Sequence, residues 1–418
     1  VNNTFSQTRV VRWGGPTDGA NSPALVSSLT GVTQIYSNDG AFAALKMDGS
    51  VVTWGNSDSG GDSSSVASSL TSGVTQIHSN YRGFAALKSD GSVVFWGYHH
   101  EDYTIGFSTV ASSLTSGVTK IFTTLHGAFA AVKTDGSVFT WGDPYNGGNS
   151  ASVSNSLTSG VTQIYSTERA FAAVKTDGSV VTWGSSSYGG NSASVASSLT
   201  SGVTQIYSNP SAFAAVKTDG SVVTWGSSSY GGNSSSVASS LTSGVTKIYS
   251  QKAVFAALKS DGSVVTWGSN STGGDSSSVA SSLTSGVTQI YSNQRAFAAL
   301  KTDGTVVTWG YRDFGDSSSV ASSLTDVISI TPAVTAFAAL KSDGTVVTWG
   351  KDISEIDYQN YDQSVALNSG ADSSLVASSL TDVISITASF NYQSPQTKSA
   401  FAALKTDGSV VTWGNNSF

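Results

Sequence analysis

The amino-acid sequence predicts a mainly β protein, a propeller-type tandem array of about nine blades with three to four elements each. Every tryptophan stands in a Trp-Gly pair, and the pairs recur every 40 to 45 residues apart from one gap of 64. A Lys-x-Asp-Gly-[Ser/Thr] stretch precedes all of these pairs except that of Trp13. The ten tryptophans are Trp13, Trp54, Trp96, Trp141, Trp183, Trp225, Trp267, Trp309, Trp349 and Trp413.

The stretch Ala170–Gly184, AFAAVKTDGSVVTWG, predicts a β-hairpin whose two-residue loop is Asp177-Gly178. A type I′ turn suits this pair, because Asp tolerates and Gly favours a positive φ. Pairing outward from that turn places Ala172 opposite Trp183. One face would then carry Ala172, Val174, Val181 and Trp183, and the other would carry Phe171, Ala173, Val180 and Thr182.

Both predicted faces are largely apolar, so each hairpin needs a neighbouring copy on either side. A further strand, VTQIYS at Val161–Ser166, precedes the hairpin. The connecting segment Asn191–Gly202 favours a short helical turn over an outer strand. In that turn Asn191 or Ser192 is the cap, and Val195 and Leu199 share one side.

The predicted organisation is a single repeat domain over residues 1–418, with a closed ring favoured over an open superhelix. An unpaired strand at 9–15 precedes the repeats and is difficult to place in a closed ring, because the ninth repeat has its own third strand. The nine repeats are expected at 16–55, 56–97, 98–142, 143–184, 185–226, 227–268, 269–310, 311–350 and 351–414.

The recurring stretch FAALKTDGSVVTWG resembles the repeat of the regulator of chromosome condensation family, from about Arg9 to Gly414. The resemblance implies that each repeat is a propeller blade. Members of that family include nucleotide-exchange factors on chromatin, modules of ubiquitin ligases and a bacterial inhibitor of β-lactamases.

This chain departs from the family pattern in its nine repeats of about 42 residues, since the family has seven longer blades. It also has no room for a ligase domain and no basic tail for chromatin. The exchange-factor and ligase roles are therefore not carried over to it.

The composition excludes several classes of function. Charged residues make up 11% of the chain, the net charge is −7, and no Lys/Arg run offers a basic stripe for nucleic acid. The absence of cysteine excludes disulfides and thiolate metal sites. No apolar run is long enough to span a membrane, and VNNTFSQTRV lacks the features of a signal peptide.

An extracellular or lumenal location is favoured, with glycosylation sequons at Asn2, Asn233, Asn270 and Asn415. The stretch His99–Asp102 is the only cluster of histidine and carboxylate residues, and an exposed polar loop explains it better than a metal site. The nine lysines before Asp-Gly, such as Lys175 and Lys217, suggest a solvated or Asp-paired ring. We expect no cofactor, metal site or catalytic activity.

Two segments of each repeat vary, whereas the rest is nearly constant. The first lies between VTQIYS and the Phe-containing strand, and the second follows Trp-Gly. In an up-and-down sheet both segments leave at the same end, which predicts one diverse face suited to binding. The candidate residues are Tyr81, Arg82, Tyr98, His99, His100, Tyr103, Tyr145, Arg169, Tyr188, Tyr230, Arg295, Tyr311, Arg312, Phe314, Tyr358, Tyr361, Phe390 and Tyr392.

These features favour a non-enzymatic module that docks a protein partner on its loop-diverse face. Two alternatives remain open. One is a structural surface protein whose near-identical central repeats self-associate laterally, and the other is an inhibitor-type propeller that blocks an enzyme.

Overall fold

A computed structural model describes residues 29–97, 110–350, 372–391 and 398–414. These residues form nine three-stranded antiparallel sheets, which confirms the predicted mainly β repeat architecture. The chain divides into an N-terminal half that ends at Thr204 and a C-terminal half that begins at Gln205. The predicted strand at 9–15 lies outside the described residues. We number the sheets 1 to 9 in chain order.

Within each sheet the three strands follow one another in sequence, with the second strand in the middle. Sheets 1 to 4 consist of β1 (Val32–Ser37), β2 (Ala41–Lys46), β3 (Val51–Gly55), β4 (Val74–Asn80), β5 (Gly83–Lys88), β6 (Val93–Gly97), β7 (Val118–Thr123), β8 (Ala128–Lys133), β9 (Val138–Gly142), β10 (Val161–Ser166), β11 (Ala170–Lys175) and β12 (Val180–Gly184).

Sheets 5 to 9 have the same order, and the first strand of sheet 5 crosses the boundary between the halves. They consist of β13 (Val203–Ser208), β14 (Ala212–Lys217), β15 (Val222–Gly226), β16 (Val245–Gln251), β17 (Val254–Lys259), β18 (Val264–Gly268), β19 (Val287–Ser292), β20 (Ala296–Lys301), β21 (Val306–Gly310), β22 (Val327–Pro332), β23 (Ala336–Lys341), β24 (Val346–Gly350), β25 (Val383–Asn391), β26 (Lys398–Lys405) and β27 (Val410–Gly414).

Short helices connect the sheets, as the serine-rich segment Asn191–Gly202 predicts. There Asn191 Oδ1 accepts a hydrogen bond from Ala193 N at 2.9 Å, and Leu199 is buried. Helical turns just after Trp-Gly span Ser57–Ser59, Pro144–Asn146, Ser186–Tyr188, Ser228–Tyr230, Asn270–Thr272 and Arg312–Gly315. The 3-10 helices before the next sheet span Ser64–Leu70, Ala111–Leu114, Ala151–Leu157, Ala193–Leu199, Ser235–Leu241, Ser277–Leu283, Ser318–Ser323 and Ser374–Ser379.

The predicted hairpin register is wrong by one residue. In sheet 4, Phe171 pairs with Trp183 and Val174 pairs with Val180. The loop has three residues, because Gly178 N donates to Lys175 O at 2.9 Å and Lys175 N donates to Ser179 O at 2.9 Å. Gly178 has a φ of +74°, whereas Asp177 is not among the residues with positive φ. This is a type I turn followed by a glycine bulge rather than a type I′ turn.

The corrected register gives each sheet two chemically different faces. An aromatic face carries Phe171, Ala173, Val181 and Trp183, and an aliphatic face carries Ala172, Val174, Val180 and Thr182. The Phe and Trp rings of all nine sheets stack with centroids 5.2 to 5.4 Å apart.

Within each half, the core consists of contacts between successive sheets. In the N-terminal half, the aromatic face of sheet 4, with Phe171 and Trp183, packs on Ala128, Ala130 and Val132 of sheet 3. In the C-terminal half, Phe337 and Trp349 of sheet 8 pack in the same way on sheet 7. Because alanine side chains are small, the aromatic rings of one sheet approach the next sheet closely and bury the alanines fully. The apolar area of both packed faces is thereby removed from water.

The Gly-Gly pair after Trp-Gly belongs to the same interface. Trp183 Nε1 donates to Gly147 O at 3.0 Å, which satisfies the buried indole N–H. A Cβ on Gly147 would lie 2.7 Å from the Phe171 ring, so the stacked pair leaves space only for glycine. The equivalent bonds run from Trp96 to Gly60 and from Trp267 to Gly231.

The opposite end of each sheet is joined to the next by main-chain contacts. Val203 N donates to Gly178 O at 3.0 Å, so the turn of sheet 4 meets the strand that follows it. The repeated lysine is not simply solvated or paired with Asp, since Lys175 Nζ donates to Ser156 O at 3.0 Å and so binds the end of a 3-10 helix. Lys88, Lys133, Lys259 and Lys301 make the same contact.

Two glycine substitutions separate backbone strain from contact between repeats. In Gly408→Ala the backbone keeps a φ of +83° and no atom lies within 4 Å of the new Cβ. This substitution should lower the free energy of unfolding by about 1 kcal/mol. Gly178→Ala at φ +74° places the Cβ 2.5 Å from Gly202 N, and should cost at least about 2 kcal/mol. Urea unfolding measures both. If both variants lost the same free energy of unfolding, the turn at Gly178 would not be in tight contact with the next repeat.

The nine turn aspartates predict a loss of stability in acid. A hydrogen bond from the Ser or Thr hydroxyl two residues on, at 2.6 Å for Ser179 and Asp177, is the main cause that holds the pKa of each carboxyl below its ordinary value of 3.8. A native pKa below the unfolded one stabilises the fold above the unfolded value, and this contribution is lost as the pH falls through the native pKa. The aspartates are Asp48, Asp90, Asp135, Asp177, Asp219, Asp261, Asp303, Asp343 and Asp407.

Urea unfolding below pH 4 should therefore show stability falling with pH, and Ser179→Ala should raise the pKa of Asp177 towards its ordinary value. Carbon-detected NMR titration follows the carboxyl directly, with Asp219 in the same sample as the internal control. An unchanged Asp177 pKa in the variant would contradict the assigned cause.

Candidate functional site

In the repeats whose two variable segments are both described, these segments lie together at the end of the sheet opposite the Asp-Gly turn, as the sequence predicts. In sheet 4, Ser185 N donates to Arg169 O at 2.9 Å. Thr167 Oγ1 donates to Tyr188 O at 2.9 Å and accepts from Ala170 N at 3.1 Å. One polar side chain thus fixes both loops to each other.

Other repeats use Asn or Gln at the position of Thr167, which the sequence analysis did not single out. Asn209 Nδ2 donates to Tyr230 O at 2.6 Å, and Asn293 Nδ2 donates to Phe314 O at 2.8 Å. Asn38, Thr124 and Gln251 bond to the second loop in the same way. The recurrence of a short amide or hydroxyl at this place in otherwise variable loops was the signal for this structural role.

Loops of successive repeats also join in the N-terminal half. Tyr81 N donates to Leu125 O, and His126 N donates to Glu168 O, both at 3.2 Å. The Tyr81 and His126 rings lie 5.4 Å apart, and His126 Nε2 lies 3.6 Å from Glu168 Oε2. Loops of sheets 2, 3 and 4 therefore form one continuous surface, although their residues are more than 40 positions apart.

A charged pair anchors this surface. Arg82 Nη2 lies 3.8 Å from Asp143 Oδ2, whose side chain is only 4% exposed. Asp143 Oδ1 also accepts a hydrogen bond from Tyr145 N at 2.9 Å, which begins the helical turn there. The carboxylate thus orients the arginine of one loop and the tyrosine of another.

We call Tyr81, Arg82, Leu125, His126, Tyr145 and Glu168 the loop cluster. Tyr145 is 78% exposed and Leu125 is 41% exposed, so two large apolar side chains face solvent beside charges of both signs. Burial, followed by the nearby carboxylates of Asp39 and Glu168, raises the pKa of the Tyr81 hydroxyl above its ordinary value. That hydroxyl therefore remains a neutral hydrogen-bonding group at physiological pH.

The other described candidates form smaller groups. The Arg169 guanidinium lies 4.9 Å from the centre of the half-buried Tyr188 ring. Tyr230 is also half-buried and packs on the core between sheets 5 and 6. In the C-terminal half, the exposed Arg295 lies over the Tyr311 ring at 5.4 Å. Phe314 belongs to the hydrophobic core, being 8% exposed, so it is not available to a partner.

Several predicted site residues lie outside the described residues, namely Tyr98, His99, His100, Tyr103, Tyr358, Tyr361 and Tyr392. Of Arg312 and Phe390 only the backbone is described. The insertion Ala388–Ser399 is not wholly a loop, because β25 continues to Asn391 and pairs with β26 from Lys398.

Within the described ranges, no group of three His, Asp or Glu side chains could hold a metal ion. The same ranges contain no helix that is long and apolar enough to cross a membrane.

No family model and no curated protein matches this sequence. Among solved structures the chain is similar to Prp20p from Saccharomyces cerevisiae, with 17% identity over 78% of this chain and 74% of that one and a TM-score of 0.30. Human WBSCR16 has 17% identity over 62% and 82%, with a TM-score of 0.33. The computationally designed protein Ika8 has 12% identity over 92% and 96%, with a TM-score of 0.30. Matches at this level add nothing about function, and membership of the regulator of chromosome condensation family stays a prediction.

Thr167→Val tests the bond between the two loops without changing side-chain shape. It removes the donor to Tyr188 O and the acceptor of the buried Ala170 N–H, and should cost about 1–3 kcal/mol. Hydrogen exchange should quicken at Ser185–Gly190 and stay unchanged at the Asp177-Gly178 turn. Uniform quickening in both places would contradict a local role for Thr167.

Proposed function

We propose that this chain is a non-enzymatic protein-binding module whose loop cluster docks a protein partner. The observation that carries the proposal is the continuous surface formed by loops of sheets 2, 3 and 4, with exposed Tyr145 and Leu125 beside paired charges. Tyrosine and arginine are enriched at the centres of protein interfaces, because they combine a large apolar area with hydrogen-bonding groups.

The rigidity of the surface supports this function. Main-chain hydrogen bonds connect the loops of neighbouring repeats, and polar side chains such as Thr124 fix each loop to the next helical turn. A surface that is already ordered loses little conformational entropy when a partner binds. The sheets beneath it supply the order, because their core is made by stacking and does not depend on the loop sequences.

The charges of the loop cluster favour a protein over a nucleic acid. Arg82 is held by Asp143, and His126 lies against Glu168, so the surface offers no set of unopposed cations for phosphates. The net charge of −7 adds general repulsion of polyanions. A protein partner with a complementary apolar patch and mixed charges suits this surface better.

The arrangement of titratable groups favours docking over catalysis. Among the described residues, His126 and Glu168 form the only histidine–carboxylate ion pair, and both lie on partly exposed loops. A general base acts best in a site that excludes water and holds a nucleophile within hydrogen-bond reach. If the partner is an enzyme whose active site lies at the contact, docking on this surface would block that enzyme. This is the inhibitor alternative named in the sequence analysis.

Exposed-residue variants test the proposal without disturbing the core. Replacing Tyr145 and Leu125 together by Ser should reduce partner capture at least about ten-fold, because both side chains would lie at the centre of the interface. Quantitative affinity purification from the native source, with wild-type and variant bait in parallel, measures the enrichment of each captured protein.

Met47→Ser is the matched control, because Met47 is 71% exposed on the Asp-Gly turn of sheet 1, at the opposite end of the repeat. If the control variant lost capture to the same extent, the captured proteins would be binding nonspecifically to exposed apolar side chains. Capture that survives in the Tyr145/Leu125 variant would place the interface elsewhere.

A further inference from the structure

Two carboxylates beside Tyr81 have no fixed counter-charge. Asp39 is exposed on the first variable segment of sheet 1, and the Glu168 side chain is 33% exposed on the first variable segment of sheet 4. Among the described residues, no lysine or arginine side chain forms an ion pair with either carboxylate. His126 lies beside Glu168, but it balances that charge only when the imidazole is protonated.

Tyr81 is close to both carboxylates and keeps part of its ring open. Burial is the main cause that raises the pKa of the Tyr81 hydroxyl, and Asp39 and Glu168 raise it further, so both carboxylates act on the same side chain. Tyr81 is half-buried, and the His126 ring, 5.4 Å away and tilted by 55°, does not cover it by parallel stacking. We call Tyr81, Asp39 and Glu168 the Tyr81 subsite.

The cations of the same surface already have partners. Arg82 Nη2 lies 3.8 Å from Asp143 Oδ2, and the Arg169 guanidinium lies 4.9 Å from the centre of the Tyr188 ring. In the variable segments of sheets 1 to 4 that the structure describes, Arg82 and Arg169 are outnumbered by carboxylates, so the excess charge on this surface is negative. The carboxylates are Asp39, Asp58, Asp143 and Glu168.

The loops that carry the subsite are ordered without a partner. Asn38 Oδ1 accepts a hydrogen bond from Gly40 N at 3.1 Å and so closes a turn around Asp39. His126 N donates to Glu168 O at 3.2 Å, which connects the Glu168 loop to the loop before it. Both carboxylates therefore lose little conformational freedom when a cation binds between them.

We propose that the Tyr81 subsite receives a lysine or arginine side chain of the protein partner, which therefore presents a basic segment to the loop cluster. A cation is attracted both by the face of a tyrosine ring and by nearby carboxylates. The exposed Tyr145 and Leu125 accept an apolar side chain of the same segment. This inference rests on the proposed function and adds to it the charge of the partner.

The charge of the subsite determines how docking depends on salt. Contacts between exposed charges are screened at high ionic strength, whereas apolar contacts are not weakened by it. Docking of a basic segment should therefore weaken as the salt concentration rises. Removal of the two carboxylates should reduce that dependence, because the apolar contacts of Tyr145 and Leu125 remain.

Selection of peptides tests the proposal without the native partner. A phage-displayed library of random peptides is selected on the full wild-type chain and, in parallel, on Asp39→Asn with Glu168→Gln, which keeps the shape of both side chains. Peptides selected on the wild-type protein should be enriched in Lys and Arg beside apolar residues, and those selected on the variant should not. Circular dichroism confirms that each variant is folded.

Asp62→Asn with Asp275→Asn is the matched control, because it removes two carboxylates outside the variable segments. Asp62 and Asp275 each accept a hydrogen bond from the backbone N–H two residues on, at 2.8 and 2.9 Å, as Asn191 does at the equivalent position. Peptides selected on this control should keep the enrichment in Lys and Arg. Loss of the enrichment here would mean that the peptides respond to net charge alone, and would overturn the proposal.

A selected peptide is then the probe for a double-mutant cycle. Its Kd, measured by fluorescence anisotropy, should rise at least about five-fold in the Asp39/Glu168 variant, because two contacts with the cation are lost. Replacing the basic residue of the peptide by Gln should weaken binding to the wild-type protein by a similar factor and binding to the variant very little. Equal losses on both proteins would mean that the carboxylates do not contact this cation, which would overturn the proposal.

The outcomes distinguish this inference from the proposed function. Selected peptides that lack basic residues, yet lose binding when Tyr145 and Leu125 are replaced by Ser, would overturn the inference and leave the docking function in place. Peptides whose binding survives that replacement would contradict the proposed function itself.

Discussion

The stacking of one sheet on the next is the interaction on which the rest of this structure depends. A three-stranded sheet with two apolar faces has no stable form in water by itself, because neither face can be left exposed. Here the Phe and Trp rings of one sheet cover the fully buried alanines of its neighbour, as Phe171 and Trp183 do over Ala128 and Ala130. The small side chains on one face make room for the large ones on the other.

The stacking contacts explain why some parts of each repeat are constant and others vary. The strands, the Gly-Gly pair and the Asp-Gly turn all take part in contacts between sheets, so they allow little change. Gly147 shows the constraint most clearly, since its carbonyl oxygen accepts a hydrogen bond from the Trp183 indole N–H and a Cβ at this position would collide with the Phe171 ring. The loops need only one polar side chain, such as Thr167, to stay ordered. Their remaining positions are free to carry residues such as Tyr145 and Arg82.

A stack of identical interfaces also has a consequence at its uncovered surfaces. Each described sheet presents an aromatic face on one side and an aliphatic face on the other, so the burial of each face depends on what packs against it. Leu404 and Val410 on the aliphatic face of sheet 9 are exposed. On the aromatic face of sheet 1, Ile35 is 42% exposed and Phe42 is half-buried, whereas Trp54 is only 4% exposed.

The sequence by itself determined the repeat, the number of sheets, the order of strands and the end of the sheet at which the variable loops lie. These follow from the local pattern, because strand alternation and turn residues are encoded over a few positions. It did not determine the hairpin register, since Asp-Gly suits both a two-residue and a three-residue loop, and one residue decides which side chains share a face. Only the packing of Phe171 beside Trp183 resolves that choice. Likewise, the meeting of Tyr81, His126 and Glu168 and the burial of Phe314 required the tertiary structure, because each depends on how separate repeats stack.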